Sequence, residues 1–101
     1  MKMQVRVEGN KVHDVGYRLH LLDLAIRHEI DRFSVHRLVE DGMQVVIARV
    51  EGNDDQLSRF LTDVEKEIPN GADVSGIINE PFYEYISPTI AAAWGLISRR
   101  T

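Results

Sequence analysis

The chain has 101 residues, 44% of them hydrophobic and 28% charged, which is typical of one soluble globular domain. Its net charge of −4 argues against nucleic-acid and anionic-membrane partners, and the absence of cysteine excludes disulfides, thiol catalysis and thiolate metal sites. No apolar run approaches the roughly 20 residues of a membrane span, and no signal peptide precedes the first strand pattern. We therefore expect a single domain over residues 1–101, in the cytoplasm.

A short internal repeat indicates how the chain is organised. The letters MQV at residues 3–5 recur at 43–45, and RVEGN at 6–10 recurs at 49–53. Each copy leads into a helical pattern. Two strand–helix units, each completed by a further strand, give the order βαββαβ, with two helices on one face of an antiparallel sheet.

Hydrophobic periodicity predicts the first two elements. Residues 3–9 alternate apolar and polar side chains, as a half-buried strand does. Residues 15–29 then predict an amphipathic helix. Its expected apolar face consists of Leu21, Leu22, Leu24, Ala25, Ile26, His28 and Ile30. His20 and His28 lie eight residues apart rather than four, so we interpret them as structural and expect no metal site.

The second half of the pattern begins with a hairpin. Residues 33–39 and 43–50 predict strands around a turn at 40–42, and the second of them is apolar enough to be central. Asn53 and Asp54 cap a helix that ends before residues 69–71, and 72–79 predict the fourth strand, with a break at 80–82. The tail is ambiguous, because its alanine run favours a helical turn whereas residues 94–98 fit a closing strand equally well.

The connection between the first strand and the first helix is the candidate site. It carries Gly9 and Gly16, and the helix opens with Arg18. Backbone N–H groups, the positive end of a helix dipole and a guanidinium then point at one small volume, which suits a phosphate or a carboxylate. Most loops of this kind bind nothing, so the loop alone assigns no function.

The same residues resemble the signature of the acylphosphatases, small ferredoxin-like hydrolases that cleave carboxyl-phosphate anhydrides. The family pattern G-x-V-Q-G-V-G-F-R lies over residues 10–18 without a gap; Val12, Val15, Gly16 and Arg18 match, and Tyr17 stands in for the phenylalanine. The resemblance covers about residues 3–82. It implies an α+β ferredoxin-like sandwich, with two helices on one face of a mostly antiparallel four-stranded sheet, followed by a C-terminal extension at 83–101.

The resemblance also implies a chemistry without metal or cofactor. In the family an arginine and the loop amides hold the phosphoryl group, and an asparagine on the second strand orients the attacking water. The implied phosphate-binding loop is Val12, His13, Asp14, Val15, Gly16, Tyr17 and Arg18. The implied ligand is a small acyl phosphate or inorganic phosphate, held by the bidentate guanidinium of Arg18.

Two departures from the family pattern bear on activity. Counting from Arg18, the asparagine position is His36, and counting back from the turn it is Leu38. Asp14 replaces a loop glycine, and at ~4 Å and an effective dielectric of about 20 its carboxylate would repel an anion by roughly 4 kcal/mol. Aspartate does tolerate the left-handed backbone that a glycine can supply.

Two functional hypotheses follow. The first is an active hydrolase with Arg18 and His36 as catalytic residues, where His36, neutral near pH 7, accepts or orients the proton of the water. The second is a catalytically impaired member that serves as an anion-binding or protein-assembly module. RNA binding on the same strand order would need exposed aromatics on the central strands, which residues 43–50 lack. An amino-acid-sensing domain shares the order too, and the sequence does not decide for or against it.

The extension carries several large apolar side chains. They are Tyr83, Tyr85, Ile90 and Trp94. Such residues predict either a segment that folds back on the core or a contact for a homodimer.

Overall fold

The computed structural model describes residues 1–98, which form seven elements in the order βαββαβα. They are β1 (Lys2–Lys11), α1 (Tyr17–Arg27), β2 (Arg32–Glu40), β3 (Met43–Glu51), α2 (Asp54–Lys66), β4 (Asp73–Pro81) and α3 (Thr89–Ser98). The predicted βαββαβ order is confirmed, with a helix added at the end. None of the helices in this part of the chain is long and apolar enough to cross a membrane. The last three residues of the predicted extension, 99–101, lie outside the described residues.

The four strands form one sheet in the order β2-β3-β1-β4, and every neighbouring pair is antiparallel. β3 is therefore central, as its apolar sequence predicts. In the register, Val5 lies opposite Ala48 and Val7 opposite Val46, while Phe33 lies opposite Val50. Because side chains alternate along a strand, these residues share one face, and all of them belong to the core.

The helices cover this face. Leu21, Leu24 and Ala25 of α1 are fully buried, and so is Phe60 of α2. At about 25 cal/mol per Å² of apolar surface, burying each large side chain contributes roughly 1.5–3 kcal/mol. Ile26 differs from the prediction because it is 56% exposed, on the flank of α1 that faces away from the sheet.

Two local signals in the sequence act as predicted. Asp41 and Gly42 have φ of 53° and 78°, the two positive angles that a tight hairpin with the right-handed strand twist requires. Asn53 and Gln56 form a reciprocal capping box at the start of α2, so the first amides of that helix are satisfied.

β4 continues through the expected break. Pro81 pairs with Met3, which an edge strand permits because the missing N–H can face away from the ladder. Near the other end of this pair the register shifts at Gly9. A Cβ at Gly9 would lie 2.0 Å from the carbonyl oxygen of Asp73, so only glycine allows the two strands to approach this closely.

Residues 82–88 run from β4, at one edge of the sheet, to β2 at the other. Backbone and side-chain hydrogen bonds mark the path: Phe82 N–H to the Lys2 carbonyl at 3.3 Å, Lys2 Nζ to the Glu84 carbonyl at 2.8 Å, and Phe33 N–H to the Ser87 carbonyl at 3.1 Å. The chain then enters α3, which lies beside α1 and β2. The tail is thus a helix rather than a closing strand.

The extension folds back on the core through one side of α3. Ala92, Ala93 and Leu96 pack against the core cluster. Tyr83, Tyr85, Ile90 and Trp94 are exposed by 71–84%. The homodimer contact remains a prediction, which sedimentation at several protein concentrations would test.

Candidate functional site

A cavity of about 200 Å³ lies where the β1–α1 loop, the first turn of α1 and the middle of β2 meet. Six of the seven predicted loop residues line it: Val12, His13, Asp14, Gly16, Tyr17 and Arg18. Val15 packs against the core instead. The other residues that line it are Leu19 of α1, Arg37 of β2, Val46 of β3 and Leu96 of α3. The structure therefore brings most of the predicted loop around one space.

The start of α1 is open to this cavity. Gly16 is the N-cap and has φ of 75°, a left-handed conformation that glycine adopts without strain. No side chain within the described part of the chain caps the helix. Asp14 also has a positive φ, 57°, as its sequence position predicts. Within residues 1–98 the backbone amides of 14–18 donate no hydrogen bond. These N–H groups and the helix dipole favour an anion here.

Gln44 of β3 holds the loop from its other side. Its Oε1 accepts hydrogen bonds from the backbone N–H groups of Val12 and His13, each at 2.9 Å. The ring of His13 donates from Nε2 to the carbonyl of Val45 at 3.0 Å. Both contacts cross from the loop to β3, so they fasten it while leaving the later amides unused. Gln44 was not predicted, because its link to the loop depends on strand register.

Arg18 is the charged group of the cavity that has no ion-pair partner among residues 1–98. Within residues 1–98 its guanidinium forms no ion pair or hydrogen bond. The other six arginines of this part of the chain, at positions 6, 27, 32, 37, 49 and 59, each donate to a carboxylate, a carbonyl or another side chain. A half-buried guanidinium has five donors that need acceptors, which makes Arg18 available for an anion.

The carboxylate of Asp14 forms an ion pair with Arg37. Its Oδ1 accepts a hydrogen bond from Arg37 Nη1 at 3.0 Å, and its side chain is 85% exposed. Repulsion between Asp14 and an anion at ~4 Å is then closer to the value in water, about 1 kcal/mol, than to the roughly 4 kcal/mol expected from the sequence. Arg37 offsets part of even that.

His36 does not line this cavity. It lies opposite Ile47 in the register, one position from Arg37, and so belongs to the open face of the sheet, as does Leu38. Burial and then the positive charge of Arg49 lower the pKa of His36. The ring therefore stays neutral near pH 7, but the structure does not bring it to Arg18. The β2 side chain that reaches the loop is Arg37.

Tyr17 supports the loop from inside the core. Its side chain is 2% exposed, and its hydroxyl is buried without a hydrogen-bond partner among the described residues. Burial raises the pKa of Tyr17 to about 12, so the phenol stays neutral. The ring also meets His20 edge-on, with 5.8 Å between centroids. The resemblance hints at this role, because the family has a phenylalanine here.

His20 on α1 and His28, the residue that follows α1, make structural contacts. His20 Nε2 donates to the carbonyl of Glu67 at 2.6 Å, and His28 Nε2 lies 2.7 Å from Asp63 Oδ2. The first contact joins α1 to Glu67, the residue after α2. The second joins His28, the residue after α1, to α2. Over residues 1–98 no group of three or more histidine and acidic side chains is arranged to hold a metal ion.

Solved structures with the same fold include two acylphosphatases. The enzyme from Bacillus subtilis superposes with a TM-score of 0.60 at 20% identity, over 83% of this chain and 87% of that chain. The one from Coxiella burnetii gives 0.59 at 19% identity, over 83% and 84%. At these identities the likeness shows the fold alone.

Full-length HypF in its phosphate- and nucleotide-bound form gives a TM-score of 0.71 at 17% identity. That match covers 82% of this chain but 10% of HypF, so this chain spans about a tenth of that protein's length.

A comparison with curated protein sequences returns no significant match. The family described as Acylphosphatase matches residues 3–85. Because this match takes in every strand, α1, α2 and the whole candidate loop, the chain belongs to the acylphosphatase family.

Proposed function

We propose that the protein hydrolyses carboxyl-phosphate anhydrides, releasing a carboxylate and inorganic phosphate without a metal ion. The observation that carries the proposal is Arg18, which lines the cavity at the start of α1 and has no partner among residues 1–98. Membership of the acylphosphatase family supports the same activity.

The phosphoryl group would bind where the positive groups converge. The guanidinium of Arg18 can donate to two phosphoryl oxygens at once, and the unused amides at 14–18 can donate to the third. All of these donors belong to the loop and the first turn of α1, so they are in place before the substrate arrives. Donors that need no rearrangement are the ones that stabilise a transition state most.

The reaction does not need a general acid to protonate the leaving group. Water attacks phosphorus, the bond between phosphorus and the carboxyl oxygen breaks, and the leaving group is a carboxylate. A carboxylate has an ordinary pKa near 4, so it departs at pH 7 without receiving a proton. Charge stabilisation by Arg18 and the amides therefore supplies the main contribution, as it does in other phosphoryl transfers.

Orientation of the attacking water is the weaker part of the site. Among the described residues no asparagine lines the cavity, and Arg37 is the β2 side chain that lines it. We therefore expect modest turnover.

Hydrolysis of benzoyl phosphate tests the proposal. Arg18→Ala should reduce kcat/KM by about 10²–10³-fold, the usual cost of removing one donor from such a site. Arg18→Lys should restore only part of the rate, because an ammonium cannot bind two oxygens as a planar fork does. Arg59→Ala is the matched control, since Arg59 lies on the surface of α2 and pairs with Asp55. A wild-type rate no higher than that of buffer would refute the proposal.

The alternative is an impaired member that binds anions without turning them over. Asp14 in the loop favours it, and so does the absence of an asparagine from the part of the cavity that residues 1–98 form. Calorimetric titration with inorganic phosphate separates the two functions: phosphate binding that is lost in Arg18→Ala, together with no hydrolysis, would identify an anion-binding module.

A further inference from the structure

We infer that the site selects acyl phosphates whose acyl group is apolar and about the size of a benzoyl group, and that α3 forms the wall of the acyl cavity. This inference rests on the proposed function, because it names the class of substrate for the same site.

A second cavity, of about 220 Å³, lies between α3 and β2. Phe33 and Val35 line its floor, and Ala91, Ala92 and Leu96 line the side formed by α3. Arg18 is the one charged residue among the described residues that line it. Arg18 and Leu96 also line the first cavity, so the two spaces are neighbours on either side of the same two side chains.

This adjacency matches the covalent structure of an acyl phosphate. One oxygen atom joins the phosphorus to the acyl carbon, so a phosphoryl group held by Arg18 places the acyl group within a few ångström of the guanidinium. The second cavity lies there, with apolar side chains on its β2 and α3 sides. With Arg18 engaged by the phosphoryl group, a charged acyl group would lose its water without gaining a second charged partner among the described residues, whereas a hydrocarbon group would bury apolar surface.

The volume sets the size of the acyl group. An apolar cavity of about 150 Å³ in another protein is large enough to bind benzene. The cavity of about 220 Å³ under α3 therefore has room for a phenyl ring and leaves an acetyl group poorly packed. Ser34 and Ser87 add polar atoms at its margin, where a carbonyl oxygen can be accommodated.

The α3 wall of the second cavity lies in the C-terminal extension, outside the part of the chain that the family model matches. The family match ends at residue 85, and α3 begins at Thr89. Gly95 on α3 lines the second cavity, and a Cβ at this position would meet no atom of the described residues within 4 Å. We therefore expect a larger side chain there to narrow the cavity without displacing the core.

Comparison of two substrates in two variants tests the inference. We expect Gly95→Leu to lower the ratio of kcat/KM for benzoyl phosphate to that for acetyl phosphate at least tenfold, since even one methylene group is worth about that much in an apolar pocket. Comparing this ratio between the variant and the wild type cancels the different intrinsic reactivities of the two anhydrides. Trp94→Leu is the control, because Trp94 is 71% exposed on the outer side of α3, and its ratio should match the wild type. An unchanged ratio in Gly95→Leu, or an equal loss for both substrates, would overturn the inference while leaving the hydrolase function intact.

A binding measurement separates this outcome from failure of the proposed function. If neither substrate is turned over, the hydrolase proposal fails, and calorimetry with phenacylphosphonate and acetonylphosphonate still tests the cavity. Tenfold tighter binding of the phenacyl compound, lost in Gly95→Leu and kept in Trp94→Leu, would support selection of the apolar group. Equal affinities would refute it.

Discussion

Asp14 in the β1–α1 loop accepts a hydrogen bond from Arg37 on β2, with 3.0 Å between Oδ1 and Nη1. The negative charge that separates this loop from the family pattern is thereby matched by a positive charge on the neighbouring strand. The pair lies beside Arg18, at the rim of the anion cavity.

Removing Arg37 should leave the negative charge of Asp14 uncompensated beside the anion cavity. We expect Arg37→Gln to weaken the binding of inorganic phosphate about fivefold at low salt, because a unit charge at ~4 Å in water is worth about 1 kcal/mol. Asp14→Asn in the same chain should restore most of the affinity. Calorimetric titration measures both effects, which salt should reduce. A double variant no better than Arg37→Gln alone would contradict the pairing.

The strand register puts His36 on the open face of the sheet, and a substitution at this position tests whether it takes part in the reaction. The sequence hypothesis gives it a proton-accepting role, but its ring lies on the open face of the sheet rather than in the cavity. We therefore expect His36→Ala to keep kcat within about twofold of the wild type, a change too small for a general base, whose loss typically costs 10²–10⁴-fold. A fall in kcat of that larger size, with unchanged thermal stability, would show that His36 takes part in the reaction.

Tyr17 offers a gain in stability. Its hydroxyl is buried and has no partner among residues 1–98, so the folded state bears the cost of removing that group from water. Tyr17→Phe should raise the free energy of unfolding by about 1 kcal/mol, and the melting temperature by roughly 4–8 °C for a domain of this size. Tyr83→Phe is the control, because that side chain is 84% exposed and should change nothing. A loss of stability in Tyr17→Phe would reveal a hydrogen bond to an ordered water.

Asp63 couples the packing of α1 on α2 to pH. The hydrogen bond from His28 and the nearby Arg27 lower the pKa of Asp63 from its ordinary value of 3.8. A carboxyl whose pKa is lower in the folded state stabilises that state above its ordinary pKa, and this contribution is lost as the pH falls through the folded value. Asp63→Asn should therefore be less stable than the wild type at pH 6, with the difference vanishing well below pH 3.8.

Urea unfolding at a series of pH values measures this difference. Asp23→Asn is the matched control, because Asp23 is exposed on α1 and forms no ion pair or side-chain hydrogen bond among residues 1–98. Parallel pH curves for the wild type and Asp63→Asn would contradict the assignment.

Most of the fold could be predicted because its signals are local. Alternation along residues 3–9 and 43–50, the positive angles suited to Asp41 and Gly42, and the cap at Asn53 each act within a few residues. The tail could not be decided this way, since alanine and isoleucine fit a helix or a strand there. Packing of Ala92 and Leu96 against the core selects the helix.

The candidate site was predicted in part for the same reason. The loop and Arg18 form a contiguous pattern, so the sequence alone identifies them. Arg37 and Gln44 come from two other strands, and only the register shows that they meet the loop. A shift of one residue along β2 reverses the face of every side chain, so a count along the sequence, which gave His36 or Leu38, could not show that Arg37 is the β2 side chain at the cavity.

The path of residues 82–88 has a consequence for solubility. β2 is an outer strand of the sheet, and its exposed backbone would be a template for pairing with another chain. Ser87 and Pro88 occupy the beginning of that edge, where Arg32 pairs with Pro88 and the N–H of Phe33 donates to the carbonyl of Ser87. Proline ends the pairing there because it has no N–H to offer a further strand. We therefore expect the C-terminal segment to limit edge-to-edge aggregation at the start of β2, and a chain that ended at residue 85 to aggregate more readily.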